Sequence, residues 1–353
     1  MPKISVLLPV RNAQPFLSEA VQSIQKQSFR EFELLLLYSP SSDDSRAVLE
    51  DMAGQDRRLV LMDVVGNNLA ACLNEGLRAA RGELVARMDA DDVAHPERFA
   101  RQTAAFAARP DLVLLGSDTR YIDAEGRKGR TVRQPRGKDI ERAFYWGCPF
   151  RHPSVMMRRS ALEQCGGYRP LFRQAEDYDL WLRLHVRGDI DNLPETLLYY
   201  RLHAANSIKT NSLEARRHAF FAQAAWLVRK NGGDDPLEGL KALPDPELLP
   251  LSGSEMDALY GRVLAGSAHL LGDTPDDPEG DVWWPHMTAI TEAAERKKSM
   301  TLYHLRCAKF YAGRDRLRCL RHGLTALRTS PRQTAGYALT VLRQFLPTDR
   351  ADG

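Results

Sequence analysis

The first 90 residues alternate short apolar runs with segments of helical periodicity. The apolar runs are continuous, as in strands buried on both faces, and the segments between them place apolar residues at helical spacing. The runs are residues 4–10, 32–37 and 59–64, and the helical segments are residues 13–27, 45–53 and 69–80. Strands and helices that alternate in this way form right-handed crossovers. The sequence therefore predicts an α/β fold with a parallel sheet covered by helices on both faces.

Three carboxylates follow a fourth strand-like run, at residues 82–86. Asp89, Asp91 and Asp92 lie in the sequence RMDADD, just before a helix-opening segment at 95–99. Carboxylates crowded at the end of a buried strand repel one another and are costly to desolvate unless a cation compensates them. A hard divalent ion with oxygen ligands would do so, and such an ion usually binds a diphosphate. The alternative is an ordinary acidic turn that caps the next helix.

The acidic cluster is one of three polar segments that directly follow predicted strands. The other two are Asn12 and residues 39–44. Ligands of open parallel sheets bind at the carboxyl ends of the strands. We therefore expect these three segments to line one site.

Composition excludes several classes of protein. The net charge of +3 is too small to indicate nucleic-acid binding. The five cysteines form no CxxC pair, which argues against a disulfide framework or a zinc site and favours a reducing compartment. Residues 1–10 lack the order of segments in a signal peptide, and no apolar run approaches the ~18 residues of a membrane span. We expect a cytoplasmic protein.

The second half of the chain changes character. Residues 121–138 are polar, basic and punctuated by glycine, which predicts a hairpin or mobile loop; the basic residues either bind phosphate or are simply solvated. From about residue 212 the sequence predicts helices joined by linkers at 231–250 and 272–280. Between residues 296 and 332 the only acidic residue is Asp315. This basic helical stretch indicates either peripheral contact with an anionic membrane or a solvated helix face.

Six segments occur in the order seen in family 2 glycosyltransferases. They are ISVLLPVRN, GELVARMDADDVAHPERF, HPSVMMRRSAL from His152, GGY at 166–168, AEDYDLWLRL from Ala175 and YRLH from Tyr200. Over about residues 3–208 the chain therefore resembles this family, whose members have the GT-A fold. The resemblance implies a GT-A domain at 1–210, with a nucleotide-sugar half at about 1–117 and an acceptor half at about 118–210. A helical C-terminal region at 211–353 would follow.

Family members transfer a sugar from a nucleotide diphosphate donor to an acceptor hydroxyl with inversion at the anomeric carbon. The resemblance implies a divalent metal, Mn²⁺ or Mg²⁺, held by Asp91 and Asp89, with Asp92 ranked third because it would point elsewhere on an extended backbone. Such a metal would stabilise the leaving diphosphate. Asp177 matches the catalytic base that takes the proton of the acceptor hydroxyl. Asp179 and Arg183 are spaced to pair on a predicted helix.

The resemblance also assigns residues around these groups. Pro9, Tyr38 and Asp89 would contact the donor nucleotide. His203 would contact the metal or diphosphate, although a surface or core histidine is an equal alternative. His152 would lie between the donor and acceptor sites. Glu176 would either raise the pKa of Asp177 or tie down its loop.

The chain departs from the family at two positions. Tyr38 occupies the place of an aspartate that bonds the nucleotide base, so the base preference is open, with Asp43 or Asp44 as partial substitutes. Asn68 replaces a frequent glycine, which is tolerable in a left-handed turn.

We expect a metal-dependent, inverting glycosyltransferase that acts on a saccharide or lipid-linked acceptor in surface-polysaccharide synthesis. One alternative is a degenerate member that binds nucleotide sugar or a partner without turnover, for which Tyr38 is the best argument. A sugar nucleotidyltransferase would need a glycine-rich, basic phosphate loop after the first strand, and residues 10–16 do not supply one.

Overall fold

The structure is a computed structural model that describes residues 1–66, 68–145, 147–203, 213–244 and 248–252, with isolated positions at 255, 259, 324–326 and 328. Apart from 324–326 and 328, the basic stretch 296–332 lies outside the described residues, as does the linker 272–280. The chain divides into two compact units. The first comprises residues 1–144, 148–209 and 240–242, and the second comprises residues 145–147, 210–239 and 243–353.

Four parallel strands and three helices form the beginning of the first unit. In chain order they are β1 (Ile4–Val10), α1 (Leu17–Gln25), β2 (Phe32–Tyr38), α2 (Ser45–Gln55), β3 (Leu59–Asp63), α3 (Leu69–Ala79) and β4 (Leu84–Arg87). The strands are ordered β3-β2-β1-β4, and every neighbouring pair is parallel. The parallel sheet predicted from the sequence is therefore confirmed.

Helix α1 begins four residues later than its periodicity predicts. The backbone N–H groups of Asn12, Ala13 and Gln14 donate to the side chains of Ser41 and Asp43 in the β2–α2 loop and of Ser45, the first residue of α2, at distances of 2.9–3.1 Å. Gln14 precedes Pro15, and a proline disfavours the helical conformation of the residue before it. The difference has a structural consequence, because the loops after β1 and β2 are tied to each other at the carboxyl edge of the sheet.

The rest of the first unit extends the sheet with strands of both directions. The elements are β5 (Val93–Ala94), α4 (Arg98–Ala108), β6 (Leu112–Ile122), β7 (Lys128–Val132), α5 (Lys138–Phe144), β8 (Met156–Arg158), α6 (Arg159–Gln164), α7 (Glu176–His185) and β9 (Asp189–Arg201). The full order is β3-β2-β1-β4-β8-β6-β9-β5, with β7 paired to β6. Strand β8 is antiparallel to β4 and β6, whereas β6 and β9 are parallel. Strands β6 and β7 are antiparallel, which confirms the predicted hairpin.

The core lies on the central strands. Ile4, Leu8, Leu34, Leu36 and Leu84 have no exposed surface and pack in one hydrophobic cluster with residues of α1 and α4. Burying each such side chain stabilises the fold by about 1.5–3 kcal/mol. The rigid centre of the sheet therefore fixes the point where β4 ends and the acidic segment begins.

The second unit contains α8 (Leu213–Lys230), so its described beginning is helical as predicted. Phe221, Ala225 and Trp226 of this helix are fully buried, and the ring centroid of Trp226 lies 5.1 Å from that of Tyr145. Within the described ranges, no helix is long and apolar enough to cross a membrane.

Candidate active site

The acidic segment after β4 gathers three carboxylates into one cluster. Oxygen atoms of Asp89, Asp91 and Asp92 all lie within 4.8 Å of one another. Residues 90 and 91 form a turn, so the backbone is not extended there. The expectation that Asp92 points away from the other two is therefore wrong. Asp92 is also the most buried of the three, with 1% of its surface exposed.

Arginine 87 is the counter-ion of this cluster, and sequence reasoning missed it. Its Nη2 atom lies 2.5 Å from Oδ1 of Asp89, and the side chain is 4% exposed. Its Nε and Nη1 atoms are buried without a hydrogen-bond partner. A guanidinium in the interior is costly to desolvate, so the ion pair with Asp89 is the interaction that compensates the buried charge of Arg87. The available signal was an arginine closing the otherwise apolar run of β4.

The electrostatics of the cluster fit a divalent cation. Burial raises the pKa of Asp89, with the charge of Arg87 opposing and that of Asp91 adding to the rise. Burial and the charges of Asp89 and Asp91 raise the pKa of Asp92 well above its ordinary range. Oδ2 of Asp92 is buried without a hydrogen-bond partner. Hard oxygen donors that repel one another are the donor set that Mg²⁺ and Mn²⁺ prefer.

Histidine 203 follows the end of β9 and contacts the acidic cluster. Its Nε2 atom lies 2.9 Å from Oδ2 of Asp91. Its ring centroid lies 4.8 Å from that of Phe16, and the histidine is half-buried. His203 thus contacts Asp91, one of the two aspartates with which the sequence grouped it, whereas the side chains whose ligand atoms all lie within 4.8 Å of one another are Asp89, Asp91 and Asp92.

Arginine 201, the last residue of β9, holds the acidic turn in place. Its backbone N–H donates to Oδ1 of Asp92 at 2.8 Å, and its Nε donates to the carbonyl oxygen of Asp91 at 2.8 Å. Its Nη1 reaches two carbonyls of the β6–β7 turn, and Nη2 forms an ion pair with Glu19 at 2.5 Å. The side chain is 1% exposed. Sequence reasoning missed this residue as well, because its partners are distant in sequence.

Glu176 and Asp177 form the first turn of α7. Asp177 is half-buried, and its Oδ1 accepts the backbone N–H of Tyr178 at 2.7 Å. Burial raises the pKa of Asp177, while the Tyr178 N–H and the charge of Arg87 oppose the rise. Burial and the charge of Asp177 raise the pKa of Glu176 to about 8. A carboxylate with a raised pKa is a better proton acceptor than a free one.

Asp179 and Arg183, one turn further along α7, form the predicted pair. Nη2 and Nε of Arg183 lie 2.8 and 2.9 Å from Oδ2 of Asp179. Nη1 of Arg183 donates to the carbonyl oxygen of Cys165 at 2.7 Å. Asp179 is fully buried. This pair anchors the helix that carries Asp177.

Histidine 152 lies in a short 3₁₀ turn and is buried. Its Nε2 lies 2.9 Å from the hydroxyl of Tyr168, and its ring packs edge-on against the ring of Trp181. Burial and the charge of Arg87 lower its pKa well below the ordinary value. His152 is therefore neutral at physiological pH. The structure does not place it among the metal-ligating candidates.

The candidate nucleotide contacts lie at the carboxyl ends of β1 and β2. Pro9 is half-buried and is in register with Leu37 across the two strands. The hydroxyl of Tyr38 accepts the backbone N–H of Ser41 at 3.2 Å, and the guanidinium of Arg46 lies 5.1 Å from its ring centroid. Tyr38 is thus held within its own loop, with its ring half-buried.

Asp43 and Asn68, which lie near these contacts, both form hydrogen bonds within the protein. Burial raises the pKa of Asp43, but hydrogen bonds from Ser45 and from the Gln14 backbone outweigh it and lower the value. Its carboxylate oxygens are therefore already engaged. Asn68 has an extended backbone, with φ −98°, and its side chain caps α3 by accepting the N–H of Ala71 at 3.1 Å. The left-handed turn that would make asparagine tolerable at position 68 is therefore not needed, because Asn68 serves as the N-cap in an extended conformation.

A mixed, mostly parallel sheet with an acidic cluster at the end of β4 defines a GT-A glycosyltransferase. The sequence model of the family described as Glycosyl transferase family 2 matches residues 5–166. The amylovoran biosynthesis glycosyltransferase AmsE of Erwinia amylovora is 33% identical over 203 residues, which cover 56% of this chain and 75% of AmsE. The chain belongs to glycosyl transferase family 2, as its resemblance implied.

Two further comparisons agree. The O-antigen biosynthesis glycosyltransferase WbnJ of Escherichia coli is 29% identical over 233 residues, 64% of this chain and 88% of WbnJ. Residues 1–349 of S. aureus TarS, solved in complex with UDP-GlcNAc, superpose with a TM-score of 0.59 at 18% identity, covering 94% of this chain and 92% of that chain. The likeness to TarS confirms the expected GT-A fold.

Proposed function

We propose that this glycosyltransferase is metal-dependent and inverting, and that it transfers a sugar from a nucleotide diphosphate donor to a saccharide or lipid-linked acceptor. The observation that carries the proposal is the cluster of Asp89, Asp91 and Asp92, whose oxygen atoms lie within 4.8 Å of one another, with Nε2 of His203 2.9 Å from Oδ2 of Asp91. The ends of β4 and β9 supply these residues independently. A structural turn would not need a histidine from a separate strand beside three carboxylates.

Asp91, Asp89 and His203 would hold the cation. Asp92 belongs to the same carboxylate cluster and would add negative charge there. An imidazole nitrogen beside carboxylates suits a first-row transition metal better than Mg²⁺, so we favour Mn²⁺. When bound, such a cation offsets the charge that gathers on the leaving diphosphate. Arg87 keeps Asp89 close to the cluster by its ion pair, and Arg201 fixes the turn that carries Asp91 and Asp92.

Asp177 would accept the proton of the acceptor hydroxyl as that oxygen attacks the anomeric carbon. Asp177 lies in the first turn of α7 and is half-buried, and its Oδ1 accepts the backbone N–H of Tyr178. The buried Asp179–Arg183 pair fixes the helix behind it. His152, neutral and packed on Tyr168 and Trp181, would shape the wall between the donor and acceptor sites.

The donor nucleotide would lie at the carboxyl ends of β1 and β2, near Pro9 and Tyr38. Because Tyr38 cannot accept hydrogen bonds as a carboxylate does, it would contact the base by its ring or by one hydrogen bond. The named relatives act in O-antigen and amylovoran biosynthesis. This likeness supports the proposal that the reaction belongs to surface-polysaccharide synthesis.

Two measurements on the intact protein test the proposal. Thermal stabilisation by a panel of uridine, guanosine, thymidine and cytidine nucleotide sugars, with Mn²⁺ or with chelator, identifies the donor and its metal requirement. Transfer from that donor to lipid-linked saccharides, followed by NMR of the new linkage, reports the anomeric configuration. Stabilisation that survives chelation, or a product with the anomeric configuration of the donor, would contradict the proposal. Binding without any transfer would favour the degenerate, non-catalytic alternative.

A further inference from the structure

Arginine 87, the last residue of β4, brings a buried positive charge to the carboxylate cluster. Its side chain is 4% exposed, and its Nη2 atom lies 2.5 Å from Oδ1 of Asp89. Oxygen atoms of Asp89, Asp91 and Asp92 lie within 4.8 Å of one another. The guanidinium and the three carboxylates therefore form one compact group of charges.

The backbone of Arg87 is fixed on both sides. Its N–H donates to the carbonyl oxygen of Val155 at 3.1 Å, and its carbonyl oxygen accepts Nη2 of Arg98 at 2.9 Å. In the sheet, Arg87 is in register with Leu7 of the neighbouring β1. The guanidinium thus reaches Asp89 from the end of a central strand, whose backbone position does not depend on the cluster.

Two other basic residues contact the acidic turn in different ways. Arg201 donates to the turn through its backbone N–H and its Nε, and its Nη2 forms an ion pair with Glu19. Nε2 of His203 lies 2.9 Å from Oδ2 of Asp91. Arg87 is therefore the arginine that compensates the charge of Asp89 directly.

This compensation is incomplete. Among the described residues, Nε and Nη1 of Arg87 and Oδ2 of Asp92 are buried without a hydrogen-bond partner. One guanidinium does not balance three neighbouring carboxylates, so negative charge remains for a divalent cation. The guanidinium would repel that cation and would compete with it for Asp89.

We propose that Arg87 is the resident counter-cation of the metal site, which stabilises the carboxylate cluster when no metal is bound and lowers the affinity of the cluster for a divalent cation. The inference rests on the proposed function, because it concerns the same metal site. Two cations that share one carboxylate repel each other, so the ion pair with Asp89 opposes metal binding. The cluster is thus stable in the metal-free protein, and it binds a metal more weakly than its carboxylates alone would.

The test compares R87M and R183M with the parent, all as the full chain. Methionine removes the charge but keeps an unbranched side chain. Arg183 is the matched control, because its side chain is also 4% exposed and forms an ion pair with Asp179, which lies outside the carboxylate cluster. Thermal melting in chelator and in Mn²⁺ measures stability, and calorimetry with Mn²⁺ alone measures metal affinity.

In chelator we expect both variants to melt about 5–10 °C below the parent, because each leaves a carboxylate without its counter-ion. Mn²⁺ should restore the melting temperature of R87M but not that of R183M, since only the cluster can bind the cation in place of the lost charge. R87M should also bind Mn²⁺ about tenfold more tightly than the parent, and R183M should bind it as the parent does. The variant R87K keeps the charge and should resemble the parent in Mn²⁺ affinity.

An affinity of R87M for Mn²⁺ equal to or below that of the parent would overturn the inference. So would an R87M protein that does not fold in Mn²⁺ while R183M folds, or an R87K protein that binds Mn²⁺ as tightly as R87M, since shape and not charge would then set the affinity. Mn²⁺-dependent donor binding is measured in the same proteins. If the parent shows it and R87M gains no Mn²⁺ affinity, only this inference fails. If Mn²⁺ affects neither the parent nor R87M, with or without donor, the proposed metal dependence fails.

Discussion

Nε2 of His203 lies 2.9 Å from Oδ2 of Asp91, although 112 residues separate the two in the sequence. The backbone N–H of Arg201, two residues before His203, donates to the side chain of the neighbouring Asp92. The hydrogen bond of Arg201 thus holds the end of β9 against the acidic turn. This contact brings His203, two residues further on, next to Asp91. The arrangement of the carboxylate cluster and His203 therefore depends on two distant parts of the chain.

Substitution of the proposed base tests the chemistry separately from binding. We expect D177N to lower the rate of sugar transfer by about 10²-fold or more, because the amide keeps the shape of the carboxylate but cannot accept the proton. Donor affinity changes little, because Asp177 does not belong to the carboxylate cluster. Transfer kinetics and donor calorimetry on the same preparation check this. A variant with near-parental turnover would remove Asp177 from this role.

The neighbouring Asp179 has a structural role, because it forms a buried ion pair with Arg183. We expect D179N to lower the free energy of unfolding by about 3–5 kcal/mol, because it leaves the buried guanidinium of Arg183 without its anion. Chemical denaturation measures the loss, with D177N as the matched control of equal chemistry on the same helix. If D177N destabilised the protein as much as D179N, the division of roles between the two aspartates would be wrong.

Glu176 makes stability depend on pH. Its pKa is raised from an ordinary 4.5 to about 8 by burial and the charge of Asp177, so the folded protein retains a proton that the unfolded chain loses. The stabilisation linked to this proton is complete below about pH 4.5 and disappears as the pH rises through 8. The variant E176Q, which cannot titrate, should therefore gain stability relative to the parent between pH 5 and 9. Urea denaturation in chelator at several pH values measures this gain, and a constant difference across that range would refute it.

The Tyr38 position tests the nucleotide site. We expect Y38D to change the ranking of uridine, guanosine, thymidine and cytidine diphosphates, because a carboxylate accepts hydrogen bonds that a phenol mostly donates. Y38F serves as the control, since it removes only the hydroxyl that accepts the Ser41 N–H. Thermal stabilisation by the four diphosphates with Mn²⁺ gives the ranking. An unchanged order in Y38D would assign Tyr38 to loop packing alone.

The sequence predicted the parallel half of the sheet, because buried strands and amphipathic helices leave periodic patterns that are local. The family resemblance connected His203 to the aspartates, and the structure places it in contact with Asp91; its role as a metal ligand stays a prediction. The antiparallel β8 was not predicted, since three residues carry too little periodicity to distinguish a strand from a turn.

Other parts of the site could not be predicted because they depend on long-range contacts. Arg87 and Arg201 are buried cations whose partners become visible only when β4 and β9 are placed in the sheet. Asp92 was expected to point away because the turn at residues 90–91 has no sequence signature of its own. Asn68 was considered only as a residue that a left-handed turn would tolerate, whereas its amide oxygen caps α3. In each case a tertiary contact or a cap decided the local geometry.

Donor binding by D91A tests the central claim most directly. Asp91 is the carboxylate that contacts His203. In the proposed metal site its loss would remove one ligand from a small set and would weaken binding of both the cation and the diphosphate. Calorimetry with the donor identified from the panel compares the parent, D91A and the control D111A, an exposed carboxylate between α4 and β6. The prediction is that Mn²⁺ strengthens donor binding to the parent and to D111A but not to D91A, and that chelator makes all three equally weak. Equal, Mn²⁺-enhanced binding in the parent and in D91A would contradict a metal site at Asp91.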